Sequence, residues 1–329
     1  MKATNPKCDV ITVGDVFIDL VMTGFPVWPE PGEESFATEL RREIGGGAAI
    51  TACGLAKLGK QTATLAMIGN DGQWFTERLS ECGVSTALIH QLPNEATATT
   101  ISVSTAKDRA FFTYTGANRG LGELLRQDAI RRELCQARHV HFACPIKAEL
   151  LSDLTEMLHA ANCRVSIDVG WQVDWLTNPA IWQAFKQVDL FLPNEREAEL
   201  MTGESEPEAM LRKFAEAGLS HVALKLGERG SMALWEDEIF SCPPLRVLPV
   251  DTTGAGDCFD AGLIFGWLEN KTPQDCLRLA NICGALSTAG LGGVSAFPSR
   301  QRTDELLNYH GAAILPQVPP RHANPTINS

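Results

Sequence analysis

The chain has 329 residues, with 28 Lys or Arg against 40 Asp or Glu, so its formal net charge is −12 with His taken as neutral. This acidic balance excludes a surface that binds nucleic acid or anionic lipid nonspecifically, although a local site can still oppose the overall sign. The length predicts either two domains of about 150 residues or one large domain with an insertion.

The N-terminal residues 1–6 lack the apolar region of a signal peptide, and no run approaches the about 18–20 apolar residues of a membrane span. None of the ten cysteines has C-x-x-C spacing, which favours free thiols in a reducing compartment. His139 and His141 share one face of a predicted strand without a third ligand nearby, so a metal site is not expected there. We therefore expect a cytoplasmic protein with neither a membrane partner nor a nucleic-acid partner.

Along the chain, short apolar runs alternate with segments of helical periodicity. Strands are predicted at 10–14, 62–69, 139–143, 165–169, 190–192 and 222–226. Helices are predicted between them at 48–58, 74–82, 148–161, 195–201 and 208–217. This alternation is typical of an α/β fold whose mainly parallel sheet is covered by helices on both faces.

Two segments, at about 16–43 and 95–116, break this rhythm because polar and apolar residues alternate and turn signals recur. Antiparallel strands inserted into an α/β core often form a lid, so we predict a small β-sheet lid. After Pro249 the pattern changes to consecutive helices at 255–269, 274–289 and 302–310. Residues 311–329 are rich in Pro, Asn and Ser, which predicts a disordered tail.

Two glycine-containing segments have the spacing of nucleotide-binding motifs only in part. Residues 54–60 fit a P-loop up to the lysine, but Gln61 stands where Ser or Thr is required, and the segment ends a helix. The run 45–47 is not a dinucleotide fingerprint, because Ile50 stands at the third glycine position and charged residues precede the run. The sequence therefore favours neither a P-loop enzyme nor a dehydrogenase.

The segment 251–257, Asp-Thr-Thr-Gly-Ala-Gly-Asp, follows an extended run and precedes an apolar helix. Small residues at 254–256 let main-chain N–H groups approach a ligand closely, and the helix dipole adds positive potential there. Such an anion hole suits the charge that develops on a transferring phosphoryl group. Asp257 at its edge could take a proton from an attacking hydroxyl. Taken alone, a turn that caps the helix explains this segment equally well.

This segment resembles the second signature of the ribokinase, or PfkB, family of carbohydrate kinases. Other matches follow in the family's order: Gly14 with Asp19, the run 45–49, Asn194 with Glu197, the turn from Lys225 to Gly230, and Asn281 with the small residues up to Gly293. Each motif alone is modest, but all occur in register over about residues 8–310. The resemblance implies a three-layer α/β/α sandwich, the ribokinase-like fold, with one kinase domain over 8–310.

On the phosphate side, the resemblance implies that Asp257 is the catalytic base. The main-chain N–H groups of Gly254, Ala255, Gly256 and Asp257 would form the anion hole. The nucleotide would contact Asn194, Glu197, Lys225, Gly227, Gly230 and Asn281. ATP and Mg²⁺ are implied as donor and cofactor, with Glu197 acting on Mg²⁺ through water. From the residues alone, Glu197 also fits a helix N-terminal carboxylate, and Lys225 fits an exposed lysine at a strand end.

The resemblance also implies a monovalent-cation site, in which K⁺ would contact Asp251, the carbonyl of Thr253 and Ser295. On the acceptor side, Asp19 would bond two sugar hydroxyls, and Gly46 and Gly47 would offer N–H groups. The acceptor is further expected to contact Phe17, Arg109 and Asn118, although Arg109 fits a solvated lid charge equally well.

Two positions depart from the ribokinase pattern, since Ile50 and Phe17 stand where ribose kinases tend to carry Asn. A pocket that cannot pair a hydroxyl discriminates against substrates that present one, so we expect an acceptor other than ribose. A deoxy or substituted sugar fits, as does a nucleoside whose base packs on Phe17. The stretch 168–171 lacks the pattern of keto-deoxygluconate kinases, and lid arginines such as Arg41 and Arg42 leave a phosphosugar open.

The leading interpretation is an ATP-dependent sugar kinase. The alternatives are a nucleoside kinase of the same family and, in a different class, a non-catalytic protein that senses sugars or nucleotides. The intact Asp257 argues against a sensor, because sensing needs no general base. The open edges of lid strands also predict a homodimer formed through the lid.

Overall fold

The computed structural model describes residues 7–105 and 109–309, and the tail predicted at 311–329 lies outside the described residues. The strands are β1 (Cys8–Gly14), β2 (Phe17–Phe25), β3 (Glu39–Gly45), β4 (Thr62–Ile68), β5 (Ile89–Gln91), β6 (Thr99–Thr105), β7 (Arg109–Tyr114), β8 (Ala137–Ala143), β9 (Arg164–Ile167), β10 (Leu190–Phe191), β11 (His221–Lys225), β12 (Ser231–Trp235) and β13 (Glu238–Cys242). The helices are α1 (Gly47–Lys57), α2 (Gln73–Glu81), α3 (Leu121–Leu124), α4 (Asp128–Leu134), α5 (Ala148–Ala160), α6 (Val173–Leu176), α7 (Ile181–Phe185), α8 (Glu195–Thr202), α9 (Pro207–Glu216), α10 (Ala255–Leu268), α11 (Pro273–Ser287) and α12 (Arg300–Leu307).

The central sheet has nine strands in the order β13-β12-β11-β10-β9-β8-β1-β4-β5. Neighbours from β11 to β5 pair in parallel, whereas β12 and β13 are antiparallel. Successive residues of β1 point to opposite faces, so Val10 joins one buried cluster with α10 and α11, and Ile11 joins another with α5 and α9. Helices therefore cover both faces, which confirms the predicted three-layer α/β/α sandwich.

A second, smaller sheet has the order β3-β2-β6-β7 and forms the lid. Its two hairpins are antiparallel, but the middle strands β2 and β6 pair in parallel, with Ile18 opposite Thr99. The prediction of antiparallel lid strands is therefore incomplete. The parallel pair arises because β2 and β6 both leave the carboxyl edge of the central sheet in the same direction.

The carboxyl ends of the parallel strands meet at this same edge, below the lid. Asp168 directly follows β9, Asn194 follows β10, and Lys225 ends β11. Ligands of open α/β sheets bind outside the carboxyl ends of strands, so this edge is where a site is expected. No helix in the described ranges is both long enough and apolar enough to cross a membrane.

Candidate active site

Two helix N-termini meet at the carboxylate of Asp257. Helix α10 begins after Gly254, which has a φ of 71°, and helix α1 begins after Gly46, which has a φ of 92°. The Thr51 hydroxyl of α1 donates to the carbonyl oxygen of Asp257 at 3.2 Å. A Cβ built on Gly47 would lie 2.8 Å from Oδ1 of Asp257. Both helix dipoles therefore add positive potential around one carboxylate, where an anionic group would be stabilised.

This close approach predicts that Gly47→Ala reduces turnover. The added methyl group cannot stay 2.8 Å from Oδ1 of Asp257, so the carboxylate must move. A displacement of about 1 Å at a reacting group can cost about a hundredfold in rate. Steady-state kinetics measure the effect, and Gly122→Ala is the matched control, because its Cβ would meet nothing nearer than 3.8 Å. Equal activity of the two variants would contradict the assigned contact.

Ile50, one of the two departures from the ribokinase pattern, is buried rather than open to a ligand. It is only 3% exposed, and its side chain packs on Gly254 and Gly293, where added Cβ atoms would lie 2.9 and 2.7 Å from its Cδ1. Ile50 therefore packs against the turn that precedes α10. The expectation that the acceptor is not ribose then depends on Phe17 alone.

A buried ion-pair cluster lies beside Asp257. Nζ of Lys225 is 2.6 Å from Oδ2 of Asp168 and 3.1 Å from Oδ1 of Asp260. The Lys225 side chain is 11% exposed and that of Asp260 is 0% exposed. Lys225 is therefore not an exposed lysine at a strand end. Asp260 was not anticipated, although an acidic residue three positions after Asp257 in an apolar helix is an unusual feature of the sequence.

The charges of this cluster shift one another's pKa values. Burial is the largest single effect and raises the pKa of Asp168, but the charge of Lys225 together with hydrogen bonds, including those from Lys225 and Asp260, lowers this pKa to about 2. Burial raises the pKa of Asp260 well above its usual range. Burial and then the negative charge of Asp168 raise the pKa of Asp257 to about 7, against the opposing effect of Lys225. Asp257 is thus poised to exchange a proton near neutral pH.

Three carboxylates in this region could hold a divalent cation. Oxygen atoms of Asp168, Asp257 and Asp260 all lie within 4.8 Å of one another. Glu197, the residue expected to act on Mg²⁺, is buried, and its Oε2 and Oε1 accept bonds from N and Nδ2 of Asn194 at 2.9 and 2.6 Å. Carboxylate oxygens are the ligands that Mg²⁺ prefers, so the residues present fit this ion.

Asn194 and Glu197 also form a capping box at the start of α8. The Asn194 Oδ1 accepts from the main-chain N–H of Glu197 at 3.0 Å, and Glu197 returns the bond to Asn194. Burial raises the pKa of Glu197 to about 7, with a further contribution from Asp168. The two roles expected for Glu197 are therefore compatible, because its side chain caps α8 and can also add negative charge beside the buried cluster.

On the lid side, Asp19 and Phe17 lie on β2 above the turn that leads into α1. The Asp19 carboxylate lies against Gly45, where an added Cβ would be 2.3 Å from its Oδ1. Burial raises the pKa of Asp19 to about 7, with further contributions from Glu43 and Asp251. Phe17 is half-buried and pairs with Gly45 across the lid hairpin. Asp19 and Asp257 thus flank the glycine turn from opposite ends.

Asn118 and Arg109 are the other two residues expected to contact the acceptor. The Asn118 Nδ2 donates to the carbonyl oxygen of Val16 at 3.1 Å, and its Oδ1 accepts from the Val16 N–H at 3.3 Å. Asn118 is buried and holds the main chain between β1 and β2 in place. Arg109 begins β7, and its side chain lies outside the described part of the structure.

A cavity of about 720 Å³ adjoins the start of α10. It is lined by Lys225, Gly227, Gly230, Ala255, Gly256 and Asn281, among others. Gly230 has a φ of 88°, and a Cβ there would lie 2.2 Å from the carbonyl oxygen of Cys242, so the turn requires glycine. The residues expected to contact a nucleotide thus line one cavity, except for the capping pair of α8. A second cavity of about 570 Å³, beside the start of β1 and β4, includes none of the predicted site residues.

The expected monovalent-cation ligands lie on two adjoining turns. Oδ1 of Asp251 accepts from the N–H and hydroxyl of Thr253 at 3.0 and 2.7 Å, and Oδ2 accepts from the N–H of Gly292 at 3.0 Å. The Ser295 hydroxyl is exposed and donates to the carbonyl oxygen of Leu291 at 2.6 Å. Asp251 therefore joins the turn before α10 to the turn before α12.

The chain is similar in sequence and in structure to known carbohydrate kinases. The sequence profile described as "pfkB family carbohydrate kinase" matches residues 7–300. A ribokinase of Haemophilus influenzae is 26% identical over 90% of this chain and 97% of its own length. A deoxyribokinase of Salmonella typhi is also 26% identical, over 91% of this chain and 99% of its own. The structure of Arabidopsis thaliana ribokinase with ribose and ATP superposes with a TM-score of 0.83 at 25% identity, covering 93% of this chain and all of that one.

Proposed function

This chain belongs to the pfkB family of carbohydrate kinases, and from that premise we propose that it transfers the γ-phosphoryl group of ATP to a hydroxyl of a sugar or sugar-like substrate. Asp257 acts as the general base. The main-chain N–H groups of Gly254, Ala255, Gly256 and Asp257 form the anion hole. The observation that carries the proposal is the meeting of two helix N-termini at the half-buried carboxylate of Asp257, beside a cavity large enough for a nucleotide.

The residues supply binding, orientation and proton transfer. Asp19 and the N–H groups of Gly46 and Gly47 hold the acceptor from the lid side. The acceptor hydroxyl then approaches Asp257, which accepts its proton as the oxygen attacks the γ-phosphorus. The N-termini of α1 and α10 stabilise the negative charge of the phosphoryl oxygens. Closure of the lid, whose middle strands are β2 and β6, over the site excludes water, which limits transfer of the phosphoryl group to water.

Two cations belong to the proposal. Glu197, acting through water, and Asp168 would hold Mg²⁺, which would neutralise charge on the phosphates. Asp251, Thr253 and Ser295 would hold K⁺, which adds positive potential beside the anion hole. The contacts of Asp251 support this second site, because they join the two turns that carry the expected ligands.

We further propose that the lid mediates a homodimer. Strand β7 is at the edge of the lid sheet and pairs with β6 alone within the described ranges. Phe112 on this strand is 59% exposed, and Leu40 on the opposite edge strand is 65% exposed. Exposed apolar side chains on an unpaired strand edge are typical of a surface that meets another copy.

The acceptor is identified by measuring ADP release with Mg²⁺ and K⁺ over a panel of compounds. The panel contains neutral sugars, deoxy sugars, sugar acids, sugar phosphates and nucleosides. Turnover with a deoxy or substituted sugar supports the proposal, because Phe17 offers no hydrogen bond to a hydroxyl. Turnover with nucleosides alone would favour the nucleoside kinase. Binding of ATP without turnover of any compound would favour a sensor.

The pH dependence of kcat/KM tests the role of Asp257. Its pKa is raised to about 7, mainly by burial, so the group is ionised above this pH and protonated below it. Because only the ionised form accepts a proton, we expect kcat/KM to fall about tenfold for each pH unit below about 7. Asp19 and Glu197 also have pKa values raised to about 7, so the profiles of Asp19→Asn and Glu197→Gln separate these two groups from Asp257. A flat profile across neutral pH would contradict the assignment.

A further inference from the structure

Two cysteine thiols meet where helix α1 packs against the end of α2. Cys53 is buried in α1, and Cys82 directly follows α2. The two thiols form a hydrogen bond, and both side chains belong to one apolar cluster. A Cβ built on Gly83 would lie 3.9 Å from Cβ of Ala56, one turn after Cys53 in α1, so the main chains of the two segments are also in contact. Helix packing therefore brings together two thiols from separate parts of the chain.

The thiol of Cys82 combines access to solvent with a tendency to ionise. Cys82 is half-buried beside the exposed Glu81. The hydrogen bond from Cys53 has the largest effect on the pKa of Cys82 and lowers it to about 7, against the cost of burial. The positive charges of Lys57 and Arg78 also favour the thiolate, and the negative charge of Glu81 opposes them. Because the thiolate is the nucleophilic form of cysteine, Cys82 is reactive near neutral pH.

The other cysteines do not share this environment. Cys8 and Cys135 are the other two half-buried thiols among the described residues. Burial raises the pKa of Cys8 to about 11 and also raises that of Cys135. The same effect of burial raises the pKa of every buried cysteine outside the pair. The hydrogen bond with Cys82, followed by burial, raises the pKa of Cys53, which therefore keeps its proton. Cys82 is thus the reactive member of the pair, and Cys53 is its neighbouring thiol.

We propose that Cys82 and Cys53 form a redox-sensitive dithiol that hydrogen peroxide converts to a disulfide. The Cys82 thiolate attacks one peroxide oxygen, so an S–O bond forms while the O–O bond breaks, and the hydroxide that leaves takes up a proton. The sulfur of Cys53 then attacks the sulfenic acid on Cys82. An S–S bond forms, the S–O bond breaks, and the oxygen leaves as water with the proton of Cys53. The two sulfurs lose two electrons to peroxide, both of whose oxygens end as water.

The disulfide acts on the candidate active site through α1. A covalent bond brings two sulfur atoms closer than a hydrogen bond does, so oxidation draws α1 towards the end of α2. Helix α1 also packs tightly on α10, because a Cβ on Gly54 would lie 2.7 Å from Cβ of Ala261. The start of α1 holds Gly47 against Asp257, so a displaced α1 disturbs this contact. We expect oxidation to lower turnover by about tenfold to a hundredfold. This effect rests on the proposed kinase function, whereas the disulfide itself does not.

Peptide mapping of the full chain tests the proposal. The reduced protein is treated with hydrogen peroxide, its remaining thiols are alkylated, and it is digested without reductant. We expect two peptides linked through Cys53 and Cys82, which dithiothreitol separates. Turnover of the acceptor found in the ADP-release panel should fall as the linkage forms and return with dithiothreitol. In Cys53→Ala, oxidation of Cys82 should stop at the sulfenic acid, which dimedone traps.

Cys135→Ser is the matched control, because it removes a thiol that is also half-buried but has a raised pKa, and it should form the same linkage. Cys82→Ser should keep its basal turnover and resist peroxide, and a thermal melt checks that it is folded. Absence of the linkage between Cys53 and Cys82, or earlier oxidation of other cysteines, would overturn the dithiol. Equal inactivation of Cys82→Ser would overturn its effect on turnover. Failure of the reduced protein to phosphorylate any compound would overturn the kinase proposal, while peptide mapping would still decide the linkage.

Discussion

Asp257→Asn is expected to abolish phosphoryl transfer while leaving nucleotide binding nearly unchanged. Asparagine has nearly the same shape as aspartate but cannot accept the proton of the attacking hydroxyl. General bases contribute about a hundredfold to ten-thousandfold to a rate, so kcat should fall by at least the lower of these factors. ADP release in steady state measures kcat, and calorimetry with ADP measures the retained binding.

The control for this substitution is Asp237→Asn, which makes the same chemical change at an exposed turn between β12 and β13. The control should keep full activity. If Asp257→Asn also kept near-normal turnover, another group would have to take the proton, and the proposed mechanism would be wrong. If it lost ADP binding as well, Asp257 would act in nucleotide binding instead.

Lys225→Met is expected to have the largest effect on stability among single substitutions at the site. Methionine fills a similar volume but leaves Asp168 and Asp260 without the ammonium group that lies 2.6 and 3.1 Å from them. Removal of one partner from a buried ion pair typically costs about 3–5 kcal/mol, because the remaining charge stays desolvated. Unfolding in denaturant, followed by fluorescence, measures the loss in the free energy of unfolding.

Two further variants sharpen this experiment. Lys213→Met breaks an exposed pair with Glu216, whose atoms are 3.1 Å apart, and should leave stability almost unchanged. The double variant Lys225→Met with Asp260→Asn removes one of the two unpaired carboxylates and should recover part of the lost stability. Wild-type stability of Lys225→Met would show that the buried cluster does not depend on the lysine.

The order of elements follows from the sequence because burial on both faces makes parallel strands read as continuous apolar runs. The six predicted strands of the central sheet and the eight predicted helices are all confirmed, with ends that differ by at most three residues. The hairpin β12–β13 was not predicted. Its turn at Glu236 and Asp237 contains neither Gly nor Asn, although Glu236 has a φ of 55°. Glu236 gives no turn signal and a single Asp gives only a weak one, so the strands beside this turn were overlooked.

Residue roles were harder to predict than the fold because they depend on contacts between distant parts of the chain. Lys225 meets Asp168 and Asp260, which are 57 and 35 residues away in sequence. Periodicity cannot show such a cluster, and the motif implied a lysine pointing at phosphate. In the same way, the motif placed Ile50 beside the acceptor, whereas packing against Gly254 buries it. The catalytic and binding roles of all the site residues, including the expected contact of Lys225 with the nucleotide, stay predictions.

The parallel pairing of β2 with β6 has a consequence for how the protein folds. Ile18 pairs with Thr99, so these two strands can meet only after the intervening β3, α1, β4, α2 and β5 have been synthesised. Such non-local pairing forms late, because the entropy of closing a long loop is lost before the contacts form. During translation the β2–β3 hairpin leaves the ribosome with one edge unpaired, a state prone to misassociation. The lid is therefore built from two separate segments, and it cannot be removed or transplanted as one continuous piece of chain.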